Sequence, residues 1–289
     1  MEPGSRATLR VLTFNVLAPA NPDWARRADL VVRTVRGLAP DVAAFQEVPV
    51  GDDGAFLRAL MGDDVHVAVH RSPDEHGVGA ALVSRWPLRD VEHVDQVVTR
   101  RPGLLPWLGS VVADVDTPLG TVTVAHHKPT WELDREGERV RQAVRLVDAL
   151  ARRPPTVARV VLGDLDATPD ATSLRFLRGR EPVEGRSTFH QDCWETVHGD
   201  VPGHTFAPTN PLVADGQMAT VLPRRIDHVL VGGGAFGPAL DVVDCRRVLD
   251  RPVAGAWASD HAGVLADLAL PTHAPGAWHA PADDPSRRA

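Results

Sequence analysis

The chain has 289 residues, a formal net charge of −7 and ordinary apolar and charged fractions. That length suits one large domain or two small ones with ample core, and the acidity argues against a surface that is wholly a nucleic-acid footprint. The two cysteines, Cys193 and Cys245, lack metal-ligand spacing, so neither a zinc ribbon nor a disulfide framework is implied. No apolar run reaches membrane-spanning length and the N-terminus does not read as a signal peptide, so a cytoplasmic protein is expected.

Leu9 to Val16 alternates and is β-rich, which predicts a first strand carrying Asn15 near its end. An amphipathic helix follows, with Asp23 as its expected N-cap and Ala28, Val31, Val32, Val35 and Leu38 on one face. Asp41 to Glu47 reads as a buried strand ending in a carboxylate, parallel to the first across the helix. A short helix over Gly54 to Leu60 and strands over Val65 to Val69 and Gly79 to Ser84 come next. Ser72 to His76 is a polar loop, Leu88 to Arg100 is ambiguous, and Arg101 to Trp107 reads as an irregular loop. Ser110 to Val115 and Thr121 to Ala125 form a hairpin around Thr117–Gly120 that delivers His126 and His127. Leu133 to Ala151 is the longest expected helix, with Val140, Val144, Val147 and Ala151 inward and its Arg and Glu residues solvated.

Val160 to Leu162 predicts a buried strand, stopped by Gly163 and Pro169, with Asp164 and Asp166 between them. Residues two apart on extended chain share a side, so both carboxylates should project from the sheet mouth. Like charges held together call for a cation or a shared proton. A short helix over Ser173 to Leu177 and a loop over Gly203 to Gly216, containing Thr205 and Asn210, follow. Further strands are expected over Arg225 to Val231, Leu240 to Leu249 and Gly263 to Leu270, with Asp260 and His261 just before the last. Residues 9–270 read as one domain, after a short arm (1–8) and before a tail (271–289) expected to be disordered.

Polar residues thus recur at strand ends: Asn15, Glu47, His127, Asp164, Asp166, Asp227, Asp260 and His261. Glu47 is a hard oxygen donor suited to magnesium or manganese. Zinc held by His126, His127 and an aspartate is the rival metal site, weakened by the lack of an HExxH helix.

In order along the chain, Thr13-Phe14-Asn15-Val16, Phe45-Gln46-Glu47-Val48, Ser84-Arg85-Trp86-Pro87, His127, Gly163-Asp164-Leu165-Asp166, Arg225-Ile226-Asp227-His228 and Ser259-Asp260-His261 resemble the endonuclease/exonuclease/phosphatase superfamily, the deoxyribonuclease I-like fold. The resemblance implies a four-layer α/β sandwich, two packed mixed sheets flanked by helices. It also implies hydrolysis of a phosphate ester with Mg2+ or Mn2+. A phosphodiester is expected ahead of a monoester, with a phosphomonoesterase of the same fold as the alternative. By motif, Glu47 would bind the metal, Asn15 would lie close to the metal or the phosphate, and Asp260 would be a second ligand. Asp164 would orient or deprotonate the attacking water. His261, its ring held by Asp227, would contact the phosphate, with His127 at a phosphate-side position. Asp166 stands where the family usually has Asn, and ionised Asp cannot donate to a phosphate oxygen. His228 replaces the usual aromatic. Asn210 lies on a loop that could reach the leaving group. The substrate class stays open between nucleic acid, lipid head group and nucleotide, and no obligate protein partner is implied. A non-catalytic phosphate-binding or scaffold protein is the rival of another class.

Overall fold

The computed structural model describes residues 6–273, 275 and 276. Most of the tail expected to be disordered, and residues 1–5 of the arm, lie outside the described residues. The elements in order are β1 (Thr8–Asn15), α1 (Trp24–Leu38), β2 (Val42–Pro49), α2 (Ala55–Met61), β3 (His66–Val69), β4 (Val78–Ser84), β5 (Leu88–Asp95), β6 (Gly109–Thr117), β7 (Gly120–Lys128), α3 (Glu136–Arg152), β8 (Ala158–Asp164), α4 (Thr172–Leu177), β9 (His190–Asp192), α5 (Cys193–His198), α6 (Pro211–Ala214), β10 (Asp227–Gly234), β11 (Gly237–Pro238), β12 (Asp241–Val248) and β13 (Gly263–Ala269).

One sheet runs β12-β13-β1-β2-β4-β3, the other β11-β10-β8-β7-β6-β5 with β9 paired to β10. Each is mixed, because β1–β2 and β7–β8 are parallel pairs among antiparallel neighbours. Alternation divides each strand between two cores. Val11, Val42, Ala44 and Leu82 meet Val111, Val124, Val160 and Leu162 between the sheets. Leu12, Phe14 and Phe45 face outward under Leu30, Val31, Val35, Leu57 and Leu60 of α1 and α2. On the far side, Val112, Ala125 and Val161 are covered by Ala143, Leu146, Leu150 and Leu174 of α3 and α4. The result is the expected four-layer α/β sandwich. Truncating a residue such as Leu162, fully buried at its centre, costs about 2–5 kcal/mol on general grounds.

Several local expectations are corrected. Asp23 precedes α1 in a left-handed conformation and its side chain caps nothing. The ambiguous stretch from Leu88 forms β5. The loop at Arg101 is irregular, as expected, and packs on the domain: Trp107 is buried with Val78 and Ala80, and Arg101 pairs with Glu132 and Glu138. On α3, Ala151 is exposed, whereas Glu138, Arg139 and Gln142 are buried. Gln142 donates to Gln96 O at 2.7 Å and Arg139 to Glu132 O at 2.7 Å, so this polar face holds loops down instead of facing solvent. Among the described residues, no helix is long and apolar enough to cross a membrane.

Topology gathers the chemistry at one end of the sandwich. β1, β2, β7 and β8 deliver their carboxyl ends there. The antiparallel strands β10 and β13 begin there, with Asp227 paired opposite Asp164.

Candidate active site

Asn15, the last residue of β1, bridges two carboxylates. Its Nδ2 donates to Glu47 Oε1 and to Asp164 Oδ2, both at 3.0 Å. Its side-chain Oδ1 accepts from Leu17 N at 3.0 Å, which fixes the amide orientation. Alternation alone would turn Glu47 outward, since Gln46 points between the sheets. A bulge between Phe45 and Val48, with Glu47 at φ 53°, re-aims it. Buried Arg27, from α1, holds the following loop by donating to the carbonyls of Val16, Leu17, Ala18 and Pro22.

Asp164 closes β8. Gly163 precedes it because the β7 backbone leaves no room: a Cβ there would lie 2.0 Å from His127 O. Asp164 and Asp166 do point to a common place, and a cation occupies it. Lys128 Nζ, at the end of β7, donates to Asp164 Oδ2 at 2.7 Å and to Asp166 Oδ2 at 2.5 Å. All three side chains are buried. Burial alone would raise the Asp164 carboxyl, but Lys128, His261 and Asn15 hold it well below the usual carboxylate range. Burial and the Asp164 charge push Asp166 up to about 7 against the pull of Lys128. Lys128 stays charged: burial opposes it, and the two aspartates more than compensate. Asp166 adopts φ 50°, a left-handed conformation that Asp and Asn tolerate best among residues with a Cβ.

His261 donates through Nδ1 to Asp227 Oδ2 at 2.9 Å. Burial disfavours the imidazolium, yet Asp227, Asp164 and Asp260 raise its pKa well above the ordinary value. Ligand atoms of Asp164, Asp227 and His261 lie within 4.8 Å of one another. Thr205 Oγ1 accepts from Asp227 N at 3.2 Å, fixing the start of β10. Ser259 Oγ donates to Asn15 O at 2.8 Å, tying the His261 segment to β1. Burial raises Asp260 to about 6, with the Glu47 charge adding to it against the pull of His261. The Glu47 charge therefore reaches Asp260, and both are hard oxygen donors.

His127 is not brought to these carboxylates. On β7 neighbouring side chains take opposite faces, and His127 turns toward α3, its Nδ1 2.7 Å from Ser110 Oγ. Burial keeps it neutral down to about pH 3. His126 points between the sheets, 2.7 Å from Gln46 Nε2, with its Nδ1 3.1 Å from His70 Nε2. The Gln46 amide donates, so His126 donates to His70 and His70 donates to Trp107 O at 3.0 Å. Opposite faces mean His126 and His127 cannot share a zinc ion. The Asn210 amide is engaged within the fold: it donates to Ser259 O at 2.7 Å and caps α6 by accepting from Leu212 N. His228 accepts from Arg225 and donates to Ala167 O at 3.0 Å, steadying the loop after Asp166.

Sequence reasoning missed Lys128, although a signal existed. It is the only lysine in a chain whose 31 basic residues are otherwise all arginine.

Comparison with curated proteins gives no sequence match. Among solved structures, truncated TDP2 from Caenorhabditis elegans is 17% identical with a TM-score of 0.69, over 91% of this chain and 98% of that one. D. rerio TDP2 complexed with a single-strand DNA product is 15% identical with a TM-score of 0.67, over 91% and 99%. The human Nocturnin catalytic domain with bound sulfate anion is 17% identical with a TM-score of 0.64, over 92% and 96%. At such identities these likenesses speak for the fold. The sequence itself matches the Endonuclease/Exonuclease/phosphatase family over residues 12–261, and the chain therefore belongs to that family of enzymes acting on phosphate esters.

Proposed function

We propose that this protein is a divalent-metal-dependent phosphodiesterase. The observation that carries the reading is the Asp227–His261 pair, set beside ionised Asp164, which Asn15 ties to the Glu47 carboxylate. The donor chemistry fits a hard cation. Among the described residues Glu47 Oε2 has only a long 3.4 Å contact from Ala18 N, and burial and the Glu47 charge destabilise ionised Asp260. Glu47 and Asp260 would hold Mg2+ or Mn2+, with Asn15 orienting Glu47. Bound there, the ion would neutralise charge developing on the phosphoryl oxygens.

The protein's own groups supply the rest. Asp164 is ionised and accepts a hydrogen bond from the attacking water, orienting it for in-line displacement. His261, held charged by Asp227, donates to a phosphoryl oxygen as negative charge grows. Lys128 offsets the Asp164–Asp166 pair, so the incoming anion is not repelled. That leaves little surplus positive charge, which suits a phosphodiester monoanion better than a monoester dianion. For the substrate, a neighbour's single-strand DNA product supports a nucleic-acid strand. The net charge of −7 favours a specific contact over tight non-specific binding, which leaves lipid and nucleotide diesters in play. The free buried thiols of Cys193 and Cys245 accord with a reducing, cytoplasmic setting.

The test compares bis(p-nitrophenyl) phosphate with p-nitrophenyl phosphate, each with magnesium, manganese or EDTA. Faster diester turnover that EDTA abolishes is expected. Faster monoester turnover would make this a phosphomonoesterase, and no turnover of either would favour a scaffold.

A further inference from the structure

A lysine ammonium is costly to bury, and this one is only 2% exposed. The chain has arginine at 30 positions and lysine at one, and that one lies between two aspartates at the mouth of the site. The choice has a physical reason. An ammonium is a compact point charge that sits between two carboxylate oxygens, whereas a guanidinium is a wide planar fork. Here Nζ reaches Asp164 Oδ2 at 2.7 Å and Asp166 Oδ2 at 2.5 Å, and among the described residues it donates to no third acceptor. A divalent ion bridging the same oxygens would need the same position. Both cannot be there.

We propose that Lys128 is a built-in cation occupying the place between Asp164 and Asp166 that a second divalent ion would take, so the site binds one such ion, on the Glu47–Asp260 side. The proposal rests on the metal-dependent reading above. Lys128 is a positioning residue in this account: it holds Asp164 free of metal and aimed at the water. Asp166 then serves to anchor the ammonium and need not face the phosphate.

The experiment counts manganese ions bound, by equilibrium dialysis and electron paramagnetic resonance, in wild type, Glu47→Gln and Lys128→Met. One ion in wild type, none in Glu47→Gln and two in Lys128→Met is the expected pattern. Two ions in wild type, or a folded Lys128→Met that binds no more than wild type, overturns the proposal. No ion in wild type with one in Lys128→Met would sink the Glu47 site while upholding the lysine. A wild-type measurement covers a Lys128→Met that fails to fold. Because Lys128 is the only lysine, [ε-15N]lysine labelling gives one side-chain signal. A protected ammonium signal that persists at saturating magnesium is expected, and its absence or its loss on adding magnesium contradicts the account.

Discussion

Asp227 Oδ2 accepts the Nδ1 proton of His261 at 2.9 Å, and both groups are buried. The bond fixes the ring with Nε2 pointing away from Asp227, and the Asp227 charge helps hold the imidazolium above the usual histidine range. The charged ring is the working form. It is present below its raised pKa and lost as pH rises through that value. Asp227→Asn should therefore lower kcat by about 10²–10⁴-fold and move the alkaline fall in kcat/KM to lower pH. An unchanged pH profile would show that Asp227 does not act through His261.

Glu47 is the metal-side carboxylate in this account. Glu47→Gln keeps the shape and can still pair with Asn15, but loses the charge. The magnesium concentration for half-maximal activity should rise at least about tenfold, since an ion–carboxylate contact exceeds the ~1.4 kcal/mol of a tenfold change. Equal magnesium dependence in variant and wild type would remove Glu47 from the metal site.

The Lys128–Asp166 pair should respond asymmetrically. Asp166→Asn leaves Lys128 balanced by Asp164 alone and restores the amide usual in the family. Activity should be kept or raised, because Asn tolerates the left-handed backbone that Asp166 adopts at φ 50°. Lys128→Met strands two buried carboxylates and should cost about 3–5 kcal/mol. Urea midpoints and kcat for both variants check this. Complete loss of activity in Asp166→Asn would mean that Asp166 has its own role at the metal or the phosphate.

His190 gives a pH test away from the site. Its Nδ1 donates to Leu177 O at 2.9 Å, and burial lowers its pKa to about 4. The unfolded chain then binds the extra proton between that value and the ordinary value near 6.5. The histidine's contribution is therefore complete above about pH 6.5 and shrinks on acidification, by at most about 1.4 kcal/mol per pH unit. The stability gap between wild type and His190→Asn should narrow as pH falls from about 7 to about 5. A constant gap in urea unfolding would contradict a neutral buried ring.

The strands were legible because their apolar runs and alternation are local. The residues at or near their ends, Asn15, Glu47, Asp164, Asp227 and His261, fall together once the family order is seen. What failed depends on register or distant partners. Single-residue steps along β7 put His126 on Gln46, His127 on Ser110 and Lys128 on the two aspartates, and spacing cannot resolve which of them reaches the site. The buried polar face of α3 looked solvated because Gln96, which accepts from Gln142, lies 46 residues away. Lys128 was passed over because a cation beside two histidines shows no partner until β7 and β8 pair. Asn210 looked like a reaching side chain because the carbonyl of Ser259, 49 residues on, is invisible in sequence.

The most direct measurement is hydrolysis of bis(p-nitrophenyl) phosphate with magnesium or manganese by wild type and by His261→Ala. The account predicts metal-dependent turnover in wild type, at least about 100-fold slower in the variant. Turnover that survives the substitution at the wild-type rate would contradict it, because the phosphate would then be reacting somewhere other than at the Asp227–His261 pair.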